Sequence, residues 1–168
     1  MIFVAVGTQL PFDRLIQAVD SWAGAAPGRE VMAQIAAGSY LPQHVRWERN
    51  LAPSAFQECL ENSDLVVAHA GIGTILSALE LGKPVIVLPR RCSLGEHRND
   101  HQLATASRFG ARRLVQVAKD EQELRNLLDE FAVPVSSQKI SGTASPELLA
   151  NLRKFIEMAV PRQNSEPS

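Results

Sequence analysis

The hydrophobic positions of this chain change period repeatedly, and each change marks an element. Ile2 to Val6 is an unbroken apolar run that stops at Gly7-Thr8. Such a run fits a strand buried on both faces, as in parallel sheets covered by helices. From Pro11 the period becomes helical: Phe12, Leu15, Ile16, Val19 and Trp22 line one side until the glycines at 24 and 28. Proline suits that start because its missing N–H would be unpaired in a first turn anyway. Val31–Ala36 and Val45–Glu48 read as further strands, and Pro53-Ser54 opens a helix to about Asn62. Leu65–His69 is a fourth strand ending in Gly71-Ile72-Gly73, with a helix from Thr74 to Leu81 that Gly82 closes. Pro84–Leu88 is a fifth strand. A polar loop, Pro89–Asn99, leads to a helix that Gly110 ends after Phe109. Arg113–Val117 is a sixth strand, and Asp120 caps a helix reaching Phe131.

Strands alternating with helices at these spacings predict βαβ units with right-handed crossovers. The expected fold is α/β, a Rossmann-like doubly wound parallel sheet over residues 1–132. Such sheets bind ligands beyond the carboxyl ends of their strands, which singles out the segments after Val6, His69 and Leu88. Residues 133–145 read as a linker containing Pro134, Ser136, Ser137, Gly142 and Thr143. Residues 146–160 read as a C-terminal helix with an apolar stripe from Leu148 to Ala159, and 161–168 as a disordered tail. The stripe either folds back on its own core or docks a partner.

Composition narrows the classes. A chain of 168 residues fits one domain and can bury roughly 70% of its unfolded surface. Lysine and arginine total 17 against 18 acidic residues, so no global field draws the chain to nucleic acid or an anionic membrane. Cys59 and Cys92 are far apart and lack metal-ligand spacing, which suits a reduced, cytoplasmic setting. The N-terminal apolar run is short and has no basic flank, so no signal peptide is expected. No apolar run approaches the ~20 residues that span a bilayer. Membrane association is therefore expected to be peripheral, through a partner.

The three strand-end segments carry the candidate chemistry. In His69-Ala70-Gly71-Ile72-Gly73-Thr74, two glycines stand between a buried strand and a helix start, where free N–H groups favour an anion such as a diphosphate. A plain tight turn explains the same residues. Gly7-Thr8-Gln9 is a second potential phosphate cradle, or a turn that merely needs a small residue. The loop Pro89–Gln102 is dense in hydrogen-bonding groups, and Glu96, Asn99, His101 and Gln102 could hold sugar hydroxyls; a solvated loop is the alternative. His97 and His101 have i,i+4 spacing but no third ligand nearby, so no metal site is expected. A nicotinamide-binding domain is disfavoured, because Gly7 stands alone after the first strand.

With these segments in order, the chain resembles the C-terminal domain of the glycosyltransferase 28 family, of GT-B fold. Asp64-Leu65-Val66-Val67-Ala68-His69-Ala70-Gly71, then Gly82-Lys83-Pro84, then His101-Gln102 carry the resemblance, which extends from Met1 to about Phe131. It is strongest to stand-alone half-enzymes, the catalytic subunits of dolichol-pathway N-acetylglucosaminyltransferases and bacterial exopolysaccharide subunits. The resemblance implies that Gly7, Thr8, Gly71, Ile72, Gly73 and Thr74 receive a diphosphate, and that His101 and Gln102 bind the donor sugar. Asn50-Leu51-Ala52-Pro53 resembles a turn near the uracil, with Asn50 and Leu51 the candidate contacts. Where related enzymes place a ribose-binding glutamate this chain has Ser77, with Glu80 three residues on and about 300° around the helix.

The resemblance further implies half an enzyme. The chain maps onto the donor-binding domain alone, so a separately encoded, membrane-anchored acceptor-binding subunit is the expected partner. The expected reaction is inverting transfer of a hexose from a UDP-sugar, used as substrate with no cofactor, to a polyprenyl-diphosphate-linked saccharide in polysaccharide synthesis. The main base would come from the partner, with His69 a secondary catalytic candidate, and isolated chains could self-associate. The rival is a non-catalytic or regulatory UDP-sugar-binding module. A sugar-nucleotide epimerase would need both GT-B domains in one chain.

Overall fold

The computed structural model describes residues 1–25 and 28–132. In chain order the elements are β1 (Ile2–Ala5), α1 (Asp13–Ala25), β2 (Val31–Gln34), β3 (Arg46–Glu48), α2 (Pro53–Glu61), β4 (Leu65–Ala68), α3 (Ile72–Glu80), β5 (Val85–Val87), α4 (His101–Ala111), β6 (Gln116–Val117) and α5 (Glu121–Ala132). A short 3-10 turn, Cys92–Leu94, interrupts the loop before α4. The linker, C-terminal helix and tail expected over 133–168 lie outside the described residues. Among the described residues no helix is long and apolar enough to cross a membrane.

The strands form one six-stranded sheet in the order β3-β2-β1-β4-β5-β6, and every pairing is parallel. The doubly wound α/β sheet expected from the apolar runs is what the chain forms. It winds outward from β1 through β2 to β3, crosses back to β4 on the other side of β1, and winds outward again. The loops after β1 and β4 therefore part to opposite sides, and a crevice opens where the direction reverses.

Alternation along the strands sorts the core. Ile2, Val4 and Val6 face a cluster with Phe12, Leu15, Ile16, Val19 and Trp22 around α1, joined by Leu124 and Leu128 of α5. Phe3 faces the other way, where its ring meets Phe56 of α2 edge-on at 5.2 Å. Because Phe3 pairs with Met32 and Ala5 with Gln34, the Gln34 side chain shares that second face. Central strands β1 and β4 are wholly buried, whereas edge strands β3 and β6 are largely exposed.

Several boundaries differ from expectation. Helix α1 starts at Asp13 rather than Pro11, and its ladder begins where Ile16 N donates to Phe12 O at 3.3 Å. Gly24 does not break it, since α1 runs to Ala25; a Cβ there would lie 2.9 Å from the His44 ring. Gly110 likewise sits inside α4, where a Cβ would meet Val117 Cγ2 at 2.8 Å. Helix α3 begins at Ile72, with Gly71 as its N-cap, two residues before the expected start. Strand β6 holds only Gln116 and Val117, because Arg113 turns the chain at φ 55°. Asp120 caps α5 as expected, its Oδ1 accepting from Glu123 N at 2.8 Å.

Candidate functional site

At the switch point lies a crevice of about 620 Å³. Its walls come from the three strand-end segments: Gly7 and Thr8 after β1, His69, Gly71, Gly73 and Thr74 after β4, and Arg90, His97 and Gln102 after β5. A fourth wall, of which only Leu51 and Pro53 fall in the expected uracil turn, consists of Gln34 at the end of β2, Leu51 just before α2, and Pro53 and Phe56 in its first turn. Adjacency of β1 and β4 is what brings the two glycine segments together.

The His69 ring stands between those segments and sets their geometry. A Cβ on Gly7 would come within 2.8 Å of its Cε1, and one on Gly71 within 2.1 Å of its Nε2. Both glycines are thus required first by the imidazole. Gly7 is doubly constrained, at φ +79°. Gly73 differs: nothing lies within 4 Å of where its Cβ would be, so its bare backbone faces open crevice. The first N–H groups of α3 have no intrahelical partners, and those of Gly73 and Thr74 belong to residues on this wall.

His69 is neutral. Burial pushes its imidazole down to about 4, reinforced by the positive fields of Arg90 and His97 and only partly offset by the Ala5 carbonyl. With Nδ1 3.3 Å from Ala5 O, that nitrogen carries the proton and Nε2 is left as an acceptor.

Arg90 is 2% exposed. Its NH2 nitrogen donates to Val6 O and Leu10 O, each at 2.7 Å, its NH1 to Pro11 O, and the guanidinium lies 4.6 Å over the Phe12 ring. Burial lowers it to about 10, so it remains a cation at neutral pH. One side chain from the third segment therefore pins the whole turn after β1. Sequence reading missed it as one polar residue among many; its signal was its place, directly after a buried strand and Pro89.

The remaining residues sort by position. Gln102 is buried on the crevice wall, its Oε1 accepting from Arg90 N at 3.1 Å, which leaves its amide N–H groups for a ligand. His101, the first residue of α4, is exposed and off the wall. Both Glu96 oxygens are taken up inside the protein, by Arg14 at 2.6 and 2.9 Å and by Arg91 N at 2.9 Å. Asn99 Oδ1 lies 3.3 Å from His101 N. Glu96 and Asn99 thus shape the loop, and neither lines the crevice. Thr8 and Thr74 line it and Ile72, exposed at the helix start, does not; Leu51 lines it and Asn50 does not. Ser77 and Glu80 on α3 also lie outside the lining. His97 and His101 do not share a helix, since α4 begins at His101. No group of three or more His, Cys, Asp or Glu side chains converges for metal binding among the described residues.

Over 116 residues the chain is 31% identical to a UDP-N-acetylglucosamine--N-acetylmuramyl-(pentapeptide) pyrophosphoryl-undecaprenol N-acetylglucosamine transferase of Desulforamulus reducens, covering 63% of this chain and 30% of that protein. Over 123 residues it is 30% identical to the human UDP-N-acetylglucosamine transferase subunit ALG13, covering 64% of this chain and 10% of that protein. The chain thus spans less than a third of either relative. The glycosyltransferase of kitacinnamycin shares the fold, with a TM-score of 0.60 at 22% identity over 94% of this chain and 39% of that one. The model of the glycosyltransferase family 28 C-terminal domain matches residues 1–154, past the Phe131 limit of the sequence resemblance, and the chain belongs to that family.

Proposed function

We propose that this chain is the donor-binding half of an inverting GT-B hexosyltransferase, holding a UDP-sugar in the switch-point crevice and acting with a separately encoded acceptor-binding subunit. The observation that carries the proposal is the convergence of the segments after β1, β4 and β5 on one crevice. The diphosphate lies against Gly7, Thr8 and the α3 N-terminus. The uridine extends toward Leu51, and the hexose toward Gln102.

In direct displacement the acceptor hydroxyl attacks the anomeric carbon and yields its proton to a base. The bond to UDP breaks with inversion, and the leaving diphosphate gathers charge. The helix N–H groups and the Arg90 cation are fixed in place before that charge develops. The base is a different matter. Among the described residues no Asp or Glu lines the crevice, and an imidazole held near 4 is a weak base at neutral pH. The base then comes from the partner, with His69 ordering the two loops. The relatives' names make UDP-N-acetylglucosamine the first donor to test and a polyprenyl-diphosphate-linked saccharide the first acceptor. The site of action is the cytoplasmic face of a membrane, reached peripherally through a membrane-anchored partner.

The missing carboxylate also suits a second reading, a UDP-sugar-binding module without catalysis. Calorimetry and transfer assays separate the two. UDP and UDP-N-acetylglucosamine should bind, and CDP should bind less well. UDP at 100 times its Kd should stabilise the fold by about 2.7 kcal/mol, a melting shift of roughly 5–10 °C. Transfer should need both this chain and an acceptor-half protein. Absence of UDP binding refutes both readings; binding without transfer in any pairing leaves the module.

A further inference from the structure

Among the described residues, the buried polar side-chain atoms all have hydrogen-bond partners with one exception. Asp20 receives Tyr40 and the backbone of Gln43 and His44; Ser63 bonds Leu60 O; Arg90 holds backbone carbonyls; Gln102 accepts from Arg90 N. Gln34 does not fit this rule. Its side chain is 2% exposed, and its Oε1 has no hydrogen-bond partner among the described residues. An amide oxygen removed from water and left unpaired destabilises a fold, and such atoms are rare without a reason.

Position supplies the reason. Gln34 ends β2, lines the crevice and pairs in register with Ala5, two residues before the Gly7 turn. It lies one strand from that turn, across β1 from β4 and β5, and on the side of Leu51, Pro53 and Phe56. An acceptor oxygen repels a diphosphate, which at neutral pH has no proton to give. It needs an O–H or N–H. On this side of the diphosphate the groups that offer one belong to the nucleoside: the ribose hydroxyls and the imide N–H of the base.

We propose that Gln34, its amide turned to bring Oε1 into the crevice it lines, accepts a hydrogen bond from the nucleoside of the bound donor, making Gln34 a specificity-determining residue of the nucleotide site. The inference rests on the nucleotide-sugar reading of the crevice. It supplies a nucleoside contact on the β2 side, where Ser77 and Glu80 provide none. It also explains why a side chain costly to the empty protein is kept: the oxygen is paired when the donor is bound.

The test uses the full chain with Gln34→Met, near in length, and Gln34→Leu as a second variant. Melting without ligand and the Kd for UDP and for inorganic pyrophosphate are measured on each. Gln34→Met should melt at or above the parent temperature while UDP binding weakens about fivefold or more and pyrophosphate binding stays within about twofold. The 2′-deoxy, 3′-deoxy and 3-methyl forms of UDP identify the donor group: one of them should bind the parent more weakly yet bind Gln34→Met as UDP does. Unchanged UDP affinity overturns the proposal. So does equal loss of UDP and pyrophosphate, lowered melting in both variants, or three analogues that each lose affinity equally on parent and variant. A parent that fails to bind UDP sinks the nucleotide-sugar reading itself, which is a different result from a variant that matches a UDP-binding parent.

Discussion

A buried guanidinium is stable only when its donors are taken up, and at Arg90 the carbonyls that do so belong to Val6, Leu10 and Pro11. Lysine in its place would bring one ammonium that cannot span three carbonyls and cannot lie flat on Phe12. Arg90→Lys should therefore cost about 2–4 kcal/mol in urea unfolding and weaken UDP binding as the Gly7 turn loosens. A change below about 0.5 kcal/mol would show that the turn holds itself. Arg90 and Gln34 also mark the limit of sequence reading at this scale. Polar density made Pro89–Gln102 a candidate segment and placed Gln102 on the wall, but it could not tell inward residues from outward ones. Glu96 has the right chemistry for a sugar and spends it on Arg14. Gln34 was hidden inside a strand, although a lone amide interrupting the apolar run from Val31 to Ala36 was a usable signal.

At the scale of elements, what was legible was each apolar period, and what was not was anything set by a side chain from elsewhere. Every strand and helix expected within residues 1–132 is present, and the errors fall at the ends. Gly24 and Gly110 look like stops in the local pattern, yet each is a clearance for His44 or Val117 packed against its helix. The same logic separates the glycines after β4. Gly71 clears the His69 ring, so Gly71→Ala must displace the imidazole from Ala5 O and should destabilise by about 1–3 kcal/mol. Gly73 faces open crevice in the first turn of α3, so Gly73→Ala should leave the empty fold as stable or up to about 1 kcal/mol more stable. Chemical denaturation of the pair checks this, and equal losses would mean that His69 does not set the turn.

For the molecule as a whole, one consequence of the topology is that the crevice and the loop between β2 and β3 each bury an ionisable group whose pKa is depressed. Above pH 6.5 His69 is neutral folded and unfolded alike, so it adds no pH dependence. Between 6.5 and about 4 the unfolded chain takes up a proton that the folded ring refuses, facing as it does Arg90 and His97. Stability therefore falls with pH across that window, by about 3 kcal/mol at most, and the loss is complete below about 4. Asp20 acts lower on the scale. Burial alone would raise its carboxyl, but bonds from Tyr40, Gln43 N and His44 N outweigh burial and hold it below the usual range. Its contribution is present above the unfolded value of 3.8 and disappears as pH falls through the folded one. Acid unfolding should thus show two limbs with separate owners. Urea titrations from pH 3 to 8 should give a His69→Asn variant that is flat between about 6.5 and 4 where the parent declines. An Asp20→Asn variant should keep the upper limb and lose the lower one. A parent curve already flat between 6.5 and 4 would place the His69 imidazole in water, and the shared wall between the two glycine turns would then not exist.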